Sequence, residues 1–195
     1  MLADGSAVQL ISNSTTYADS DSFYIENDVR SNGIMVKLHG HGLSKGMRAD
    51  VTGTVETSDD GERYIWACSA AHNGDGTVPP LFMSLRSLGG SDWQYIPASG
   101  AGQAGVAGGA GLNNIGLLVT LCGRVMEVNG SEGWLKIDDG SERVIKCVAE
   151  EGSPVISDSW LNQYAIVTGI SSCEFDGPNL VSKIRLKKDV PPVVY

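Results

Sequence analysis

The tripeptide Val-Thr-Gly occurs twice, at 51–53 and 167–169, and each copy lies in the same sequence frame. Two short apolar runs separated by an acidic turn precede each copy, and a glycine-containing hairpin and one further strand-like run follow it. With a leading apolar run in each half, at 7–11 and 116–128, the pattern predicts five strands per half. Self-similarity at this spacing indicates two copies of one structural unit.

The composition is typical of a turn-rich β protein. Glycine supplies 25 of the 195 residues, about twice its usual share, and Asp-Gly turns between apolar runs favour hairpins. No segment has a long helical apolar stripe, and residues 158–163 support at most a turn or two of helix. No apolar run approaches the roughly 20 residues that a transmembrane helix requires.

The boundaries between the two units follow from the segment that joins them. We predict a first barrel at 1–83, a docked connector at 84–115 and a second barrel at 116–195. The centre of the connector, Ser99 to Gly111, holds six glycines and four alanines. Such a composition also fits a flexible linker, but the apolar flanks favour an ordered crossover that packs on both units.

The order of the predicted strands resembles an OB-fold barrel, with a glycine in the fourth strand and a short connection before it. More narrowly, the chain resembles tandem OB modules of secreted bacterial multidomain proteins, within the nucleic-acid-binding OB superfamily. The segments that carry this resemblance are Phe23-Tyr24-Ile25-Glu26, Arg30-Ser31-x-Gly33-Ile34, Val51-Thr52-Gly53-Thr54, Arg86-Ser87-Leu88-Gly89-Gly90 and Gly111-Leu112-Asn113-Asn114-Ile115-Gly116-Leu117-Leu118. The resemblance implies an all-β fold of two five-stranded Greek-key barrels. It also implies a non-catalytic accessory role in an extracellular or cell-surface protein.

Aromatic and basic side chains on the second and third strands are the candidate ligand contacts, because OB modules stack bases or sugars there. The outward-facing candidates are Tyr24 and Lys37 in the first unit, and Trp134 and Lys136 in the second. A flat indole ring can pack on a sugar, so we expect an extracellular glycan or protein partner. Exposed aromatic side chains can instead cover a neighbouring domain.

Single-stranded nucleic acid is the alternative ligand, and the charge of the chain argues against it. The net charge is −9 and the pI about 4.7, whereas affinity for a polyanion depends on neutralising phosphates. Nucleic-acid binding would depend on Lys183, Arg185 and Lys187, which share one face of the last strand. A charged strand of this kind also protects a sheet from edge pairing.

No motif indicates catalysis, a metal site or a cofactor. His39 and His41 could chelate a metal from one strand face, but no nearby residue at a familiar spacing supplies a third ligand. The sequence also lacks the nucleophile, phosphate-binding and zinc-protease motifs. We therefore expect no catalytic residue, no metal and no cofactor.

The cysteines and two asparagines allow covalent modification. Strand parity predicts that Cys147 and Cys173 face the same core, where they would form either a disulfide or two buried thiols. Asn13 and Asn129 each begin an Asn-x-Ser/Thr glycosylation pattern in a predicted loop.

Together these features predict a non-catalytic extracellular module. It would either recognise a glycan or protein, or self-assemble as a structural subunit, a homo-oligomer or filament, through its connector and strand edges.

Overall fold

The computed structural model describes residues 2–150 and 155–195. Within these ranges the protein is all-β, and its only helical segments are two short 3-10 turns, Leu85–Ser87 and Asp158–Trp160. The second turn lies where the sequence predicted at most a turn or two of helix, which confirms that prediction.

The first sheet is a closed five-stranded barrel with the cyclic order β1-β2-β3-β5-β4. The pair β3 and β5 is parallel, and the other pairs are antiparallel. Its strands are β1 (Ala7–Ala18), β2 (Ser22–Glu26), β3 (Gly33–Lys37), β4 (Met47–Thr57) and β5 (Arg63–Asp75).

The second sheet has seven strands in the order β12-β10-β11-β9-β8-β7-β6, and β10 also pairs with β7. The pairings among β7 to β11 repeat those among β1 to β5, including one parallel pair, β9 with β11. Its strands are β6 (Leu81–Phe82), β7 (Leu118–Asn129), β8 (Trp134–Asp138), β9 (Val144–Ala149), β10 (Tyr164–Asp176), β11 (Asn179–Leu186) and β12 (Val193–Val194).

The repeated Val-Thr-Gly has a steric cause. A Cβ atom on Gly53 in β4 would lie 2.3 Å from the backbone oxygen of Trp66, and one on Gly169 in β10 would lie 2.3 Å from that of Arg185. Each glycine therefore lets its strand pass close to the backbone of the neighbouring strand, where no side chain fits.

Each sheet encloses its own apolar core, and a third cluster lies between them. Phe23, Ile25 and Ile65 are buried in the first core, and Leu121, Leu135 and Ile137 in the second. The cluster between the sheets joins side chains of the first barrel to two residues of the second sheet: Tyr17, Tyr24, Met35 and Tyr64 with Leu118 and Ile170.

The segment between the sheets packs on both of them. Leu85 and Leu88 are fully buried in the core of the second sheet, and the amide of Ala107 donates to the carbonyl of Leu180. On the other side, Gln103 Nε2 donates to the carbonyl of Gly61 at 3.0 Å. Strand β6, which the sequence division placed at the end of the first unit, pairs with β7 of the second sheet.

The cysteines correct one prediction. All four lie in the described residues, and all are free thiols. Cys147 is in the core of the second sheet, whereas Cys173 packs with Val106 and Ile115 of the connector. Both are buried thiols, which is one of the two predicted alternatives, but they face different clusters and not the same core. Burial raises the pKa of the Cys173 thiol to about 12.

The two glycosylation asparagines also lie outside the predicted loops. Asn13 is within β1, next to an irregularity in the pairing with β4, and Asn129 is the last residue of β7. Ser12, which has a φ of +57°, lets β1 continue through this bulge.

A pair of glycine substitutions tests the close contact of Gly116, directly after the connector, with the first barrel. Gly116 has a φ of +91°, and a Cβ there would lie 2.5 Å from the backbone of Gly33. Gly140 has a φ of +81° and open space around it. We expect Gly140→Ala to lower the free energy of unfolding by about 1 kcal/mol through its positive φ, and Gly116→Ala by about 2 kcal/mol more through the clash. Urea denaturation measures both losses, and equal losses would contradict a tight contact at Gly116.

Candidate binding site

The outward face of the first barrel is covered by the second sheet. Tyr24 is only 3% exposed, and together with Met35 it packs against Leu118 and Ile170. The prediction that Tyr24 is exposed is therefore wrong. Tyr24 instead has the alternative role of an aromatic side chain, which is to cover a neighbouring unit.

A buried carboxylate joins the two sheets behind this face. Glu62 is fully buried; Tyr24 Oη donates to its Oε1 at 2.8 Å, and Ser172 Oγ donates to its Oε2. Arg185 Nη2 lies 3.5 Å from the same Oε2. Burial, with the charge of Glu62, raises the pKa of Tyr24 well above its usual value, so the phenol remains a donor.

The three cations of β11 and the segment after it share one face, and that face points at the first barrel. Lys183 Nζ lies 3.1 Å from Asp60 Oδ2, and Arg185 Nη1 donates to Glu150 Oε1 at 2.8 Å. Lys187 is 1% exposed and donates to the carbonyl of Thr16.

The burial and pairing of these three cations leave little positive charge available to a nucleic acid. Burial lowers the pKa of Lys187 to about 8. Lys183 and Arg185 are each engaged by carboxylates, so the residues of the nucleic-acid alternative do not form a surface open to phosphates.

Lys37 lines a cavity between the sheets. This cavity has a volume of about 240 Å³, and Tyr17, Asp60 and Arg185 also line it. The Nζ of Lys37 lies 4.0 Å from the ring centroid of Tyr64, a distance suited to a cation–π contact. The charged groups here come from both sheets, so this space belongs to their interface.

The corresponding outward face of the second sheet is an open groove of about 600 Å³. Trp134, Lys136 and Lys146 lie on it from β8 and β9, and Phe175 adds a ring that is 54% exposed. The structure thus brings Trp134 and Lys136 together, and separates them from Tyr24 and Lys37. Sequence reasoning does not find Phe175, because it stands directly before the Asp176-Gly177 turn that ends β10.

Both lysines of the groove are already paired. Lys136 Nζ lies 2.7 Å from Glu127 Oε2 and 5.6 Å from the ring centroid of Trp134, and Lys146 Nζ lies 3.2 Å from Glu174 Oε1. Trp134 Nε1 donates to Glu132 at 2.7 Å. The groove therefore offers aromatic rings and two paired lysines, and the further carboxylates of Glu132 and Asp176 make it acidic.

The histidines serve the local structure of the first barrel. His41 Nε2 donates to the carbonyl of Asp19 at 2.8 Å, and His39 pairs with Asp21. Across residues 2–150 and 155–195, no three His, Cys, Asp or Glu side chains are grouped to hold a metal ion. The same residues contain no helix that is long and apolar enough to cross a bilayer.

No protein-family model and no curated protein sequence matches this chain.

A matched pair of substitutions tests the buried carboxylate. Glu62→Gln places an amide among donors that need an acceptor, so we expect a loss of about 3 kcal/mol in the free energy of unfolding. Glu127→Gln breaks only the exposed pair with Lys136, and its expected loss is at most about 1 kcal/mol. Urea denaturation compares the two variants, and a small effect at Glu62 would show that the sheets do not depend on it.

Glu26 gives the interface a pH dependence. Its Oε1 accepts the amide of Leu118, while its buried Oε2 has no hydrogen-bond partner among the described residues. Burial raises the pKa of Glu26 from 4.5 to about 7, although the Leu118 amide and nearby cations oppose this.

The Glu26 carboxyl binds its proton more tightly in the folded state than in the unfolded chain. The stability that this protonation contributes is therefore full below pH 4.5 and is lost as the pH rises through 7. The shift corresponds to about 3 kcal/mol. We expect Glu26→Gln to remove this pH-dependent contribution. The free energy of unfolding of the wild-type protein should therefore fall relative to that of the variant as the pH rises from 4.5 to 7. Chemical denaturation at a series of pH values measures the difference, and parallel curves would refute the assignment.

Proposed function

We propose that the chain is a tandem pair of OB-fold barrels that binds a ligand and does not catalyse a reaction. The support is the repeated order of pairings in β1 to β5 and β7 to β11, with a close-approach glycine at the same place in each unit. In this interpretation β8 and β9 are the second and third strands of the second barrel. Their outward side is the side on which OB modules bind ligands.

The ligand is an uncharged glycan, and it binds in the groove that contains Trp134. One observation carries this proposal: Trp134 and Phe175 present rings in a groove whose lysines are each paired with a carboxylate. Aromatic rings pack on the apolar faces of sugars, while the charged pairs around them offer hydrogen bonds to hydroxyl groups. A polyanion would have to displace these carboxylates, in a protein whose net charge is −9.

Protein recognition and self-assembly have weaker support. The first sheet is closed, and the second is bordered by the two-residue strands β6 and β12. Short edges present few unpaired backbone groups to a second chain. An extracellular setting is part of the proposal, and its support is the resemblance to secreted OB modules.

Binding to neutral polysaccharides tests this function. We expect affinity electrophoresis in gels that contain xyloglucan, mixed-linkage β-glucan or galactomannan to retard the protein in at least one of them. Trp134→Ala should weaken this binding at least tenfold, because the ring supplies the stacking surface. Trp66→Ala is the matched control, since Trp66 is 57% exposed but lies on β5 of the first barrel, and it should change the affinity less than twofold.

Two results would contradict the proposed glycan binding. Migration unchanged in all three gels, or equal effects of the two substitutions, would refute glycan binding in this groove. Retention of a (dT)20 oligonucleotide at low salt, lost steeply as salt rises, would favour the nucleic-acid alternative.

A further inference from the structure

The end of the first barrel contains an apolar cavity of about 430 Å³. It opens where the hairpins β2–β3 and β4–β5 meet the start of β1. Its walls are core-facing aliphatic side chains from all five strands: Val8, Leu10, Ile25, Ile34, Val55 and Ile65.

The corresponding end of the second sheet is filled. Leu85 and Leu88 of the connector are fully buried in its core. The amide of Leu85 donates to Asp139 Oδ2 at 2.8 Å, which places it beside the turn between β8 and β9. By the repeated pairing order, this turn is the counterpart of the β2–β3 turn that borders the cavity. The two units therefore differ in what occupies this end: two leucines in one, and open space in the other.

The connector closes one side of the cavity without entering it. Gly116 lies against the backbone of Gly33 at the rim, and Gln103 and Ile115 line the same side. Because the two glycines allow this close approach, the end of the connector and Gly116 cover the opening as backbone and leave the interior free.

The larger polar groups at the rim already have protein partners. Arg63 donates to the carbonyls of Gly100 and Leu2, both at 2.8 Å, and pairs with Asp4 at 3.1 Å. Gln103 Oε1 accepts the amide of Arg63 at 2.8 Å, and Asn27 Oδ1 accepts that of Ser31 at 2.9 Å. Among the described residues, the rim thus offers no unpaired charge to a ligand.

We propose that this cavity binds a small, uncharged, apolar molecule. Its volume falls in the range of ligand pockets, roughly 300–1,000 Å³. Aliphatic walls favour occupation by an apolar molecule over water, as in engineered cavities that bind benzene. A charged headgroup would be buried without a partner, so fatty acids bind more weakly than neutral molecules of the same length. This site is separate from the groove that contains Trp134.

Fluorescence titration with the uncharged probe N-phenyl-1-naphthylamine tests the proposal on the whole chain. We expect saturable enhancement with about one probe per protein, and competition by 1-dodecanol at lower concentration than by dodecanoate. Ile34→Phe, which fills the cavity from β3, should weaken probe binding at least tenfold. Ile11→Phe makes the same change on β1 at a residue that is 63% exposed and lies outside the cavity, and it should leave binding within twofold.

Val8→Phe fills the cavity from a different strand, so it keeps the test decisive if Ile34→Phe does not fold. Circular dichroism and thermal unfolding establish that each variant is native. Absence of saturable probe binding to the wild-type protein would overturn the proposal, as would equal binding by native Ile34→Phe and Ile11→Phe. A wild-type dimer in sedimentation that dissociates in Ile34→Phe would show that a second copy occupies the cavity, and would also overturn it.

Discussion

The relation between the two sheets depends on the buried carboxylate of Glu62. An ionised carboxylate without partners in a protein interior costs several kcal/mol, and two of the partners of Glu62, Ser172 and Arg185, come from the second sheet. These two partners, together with Tyr24, satisfy the carboxylate only while the sheets are docked. The same requirement accounts for the basic residues of β11, which lie opposite acidic residues of the first barrel and of the segment after β9.

Much of the architecture could be predicted because it depends on local sequence. Alternating apolar runs and Asp-Gly turns predict strands and hairpins wherever they occur, and both Val-Thr-Gly copies lie on strands that pass close to a neighbour. The all-β fold was predictable on this basis, whereas the closed five-stranded barrel was expected from the resemblance to OB modules. The continuation of β1 through Asn13 was not predictable. It depends on the positive φ of Ser12, a backbone conformation that serine seldom adopts.

The site was only partly predictable, because strand parity tells which side chains share a face but not what covers that face. Strand parity correctly predicted that Lys183, Arg185 and Lys187 share one face. The docking of the two sheets, however, covers that face. Tyr24 is covered for the same reason, while Trp134 on the counterpart face lines an open groove. Parity also failed for Cys173, which faces the connector, because nothing local shows where a distant glycine-rich segment packs.

For the proposed function, the covered face of the first barrel also limits the valency of the chain. Duplication of a binding module ordinarily raises avidity, because two linked sites engage one polymer together. Here the outward face of the first barrel packs against the second sheet, so the proposed ligand would meet one such face per chain. Any gain from multivalent attachment to a repeating ligand therefore has to come from several chains held side by side.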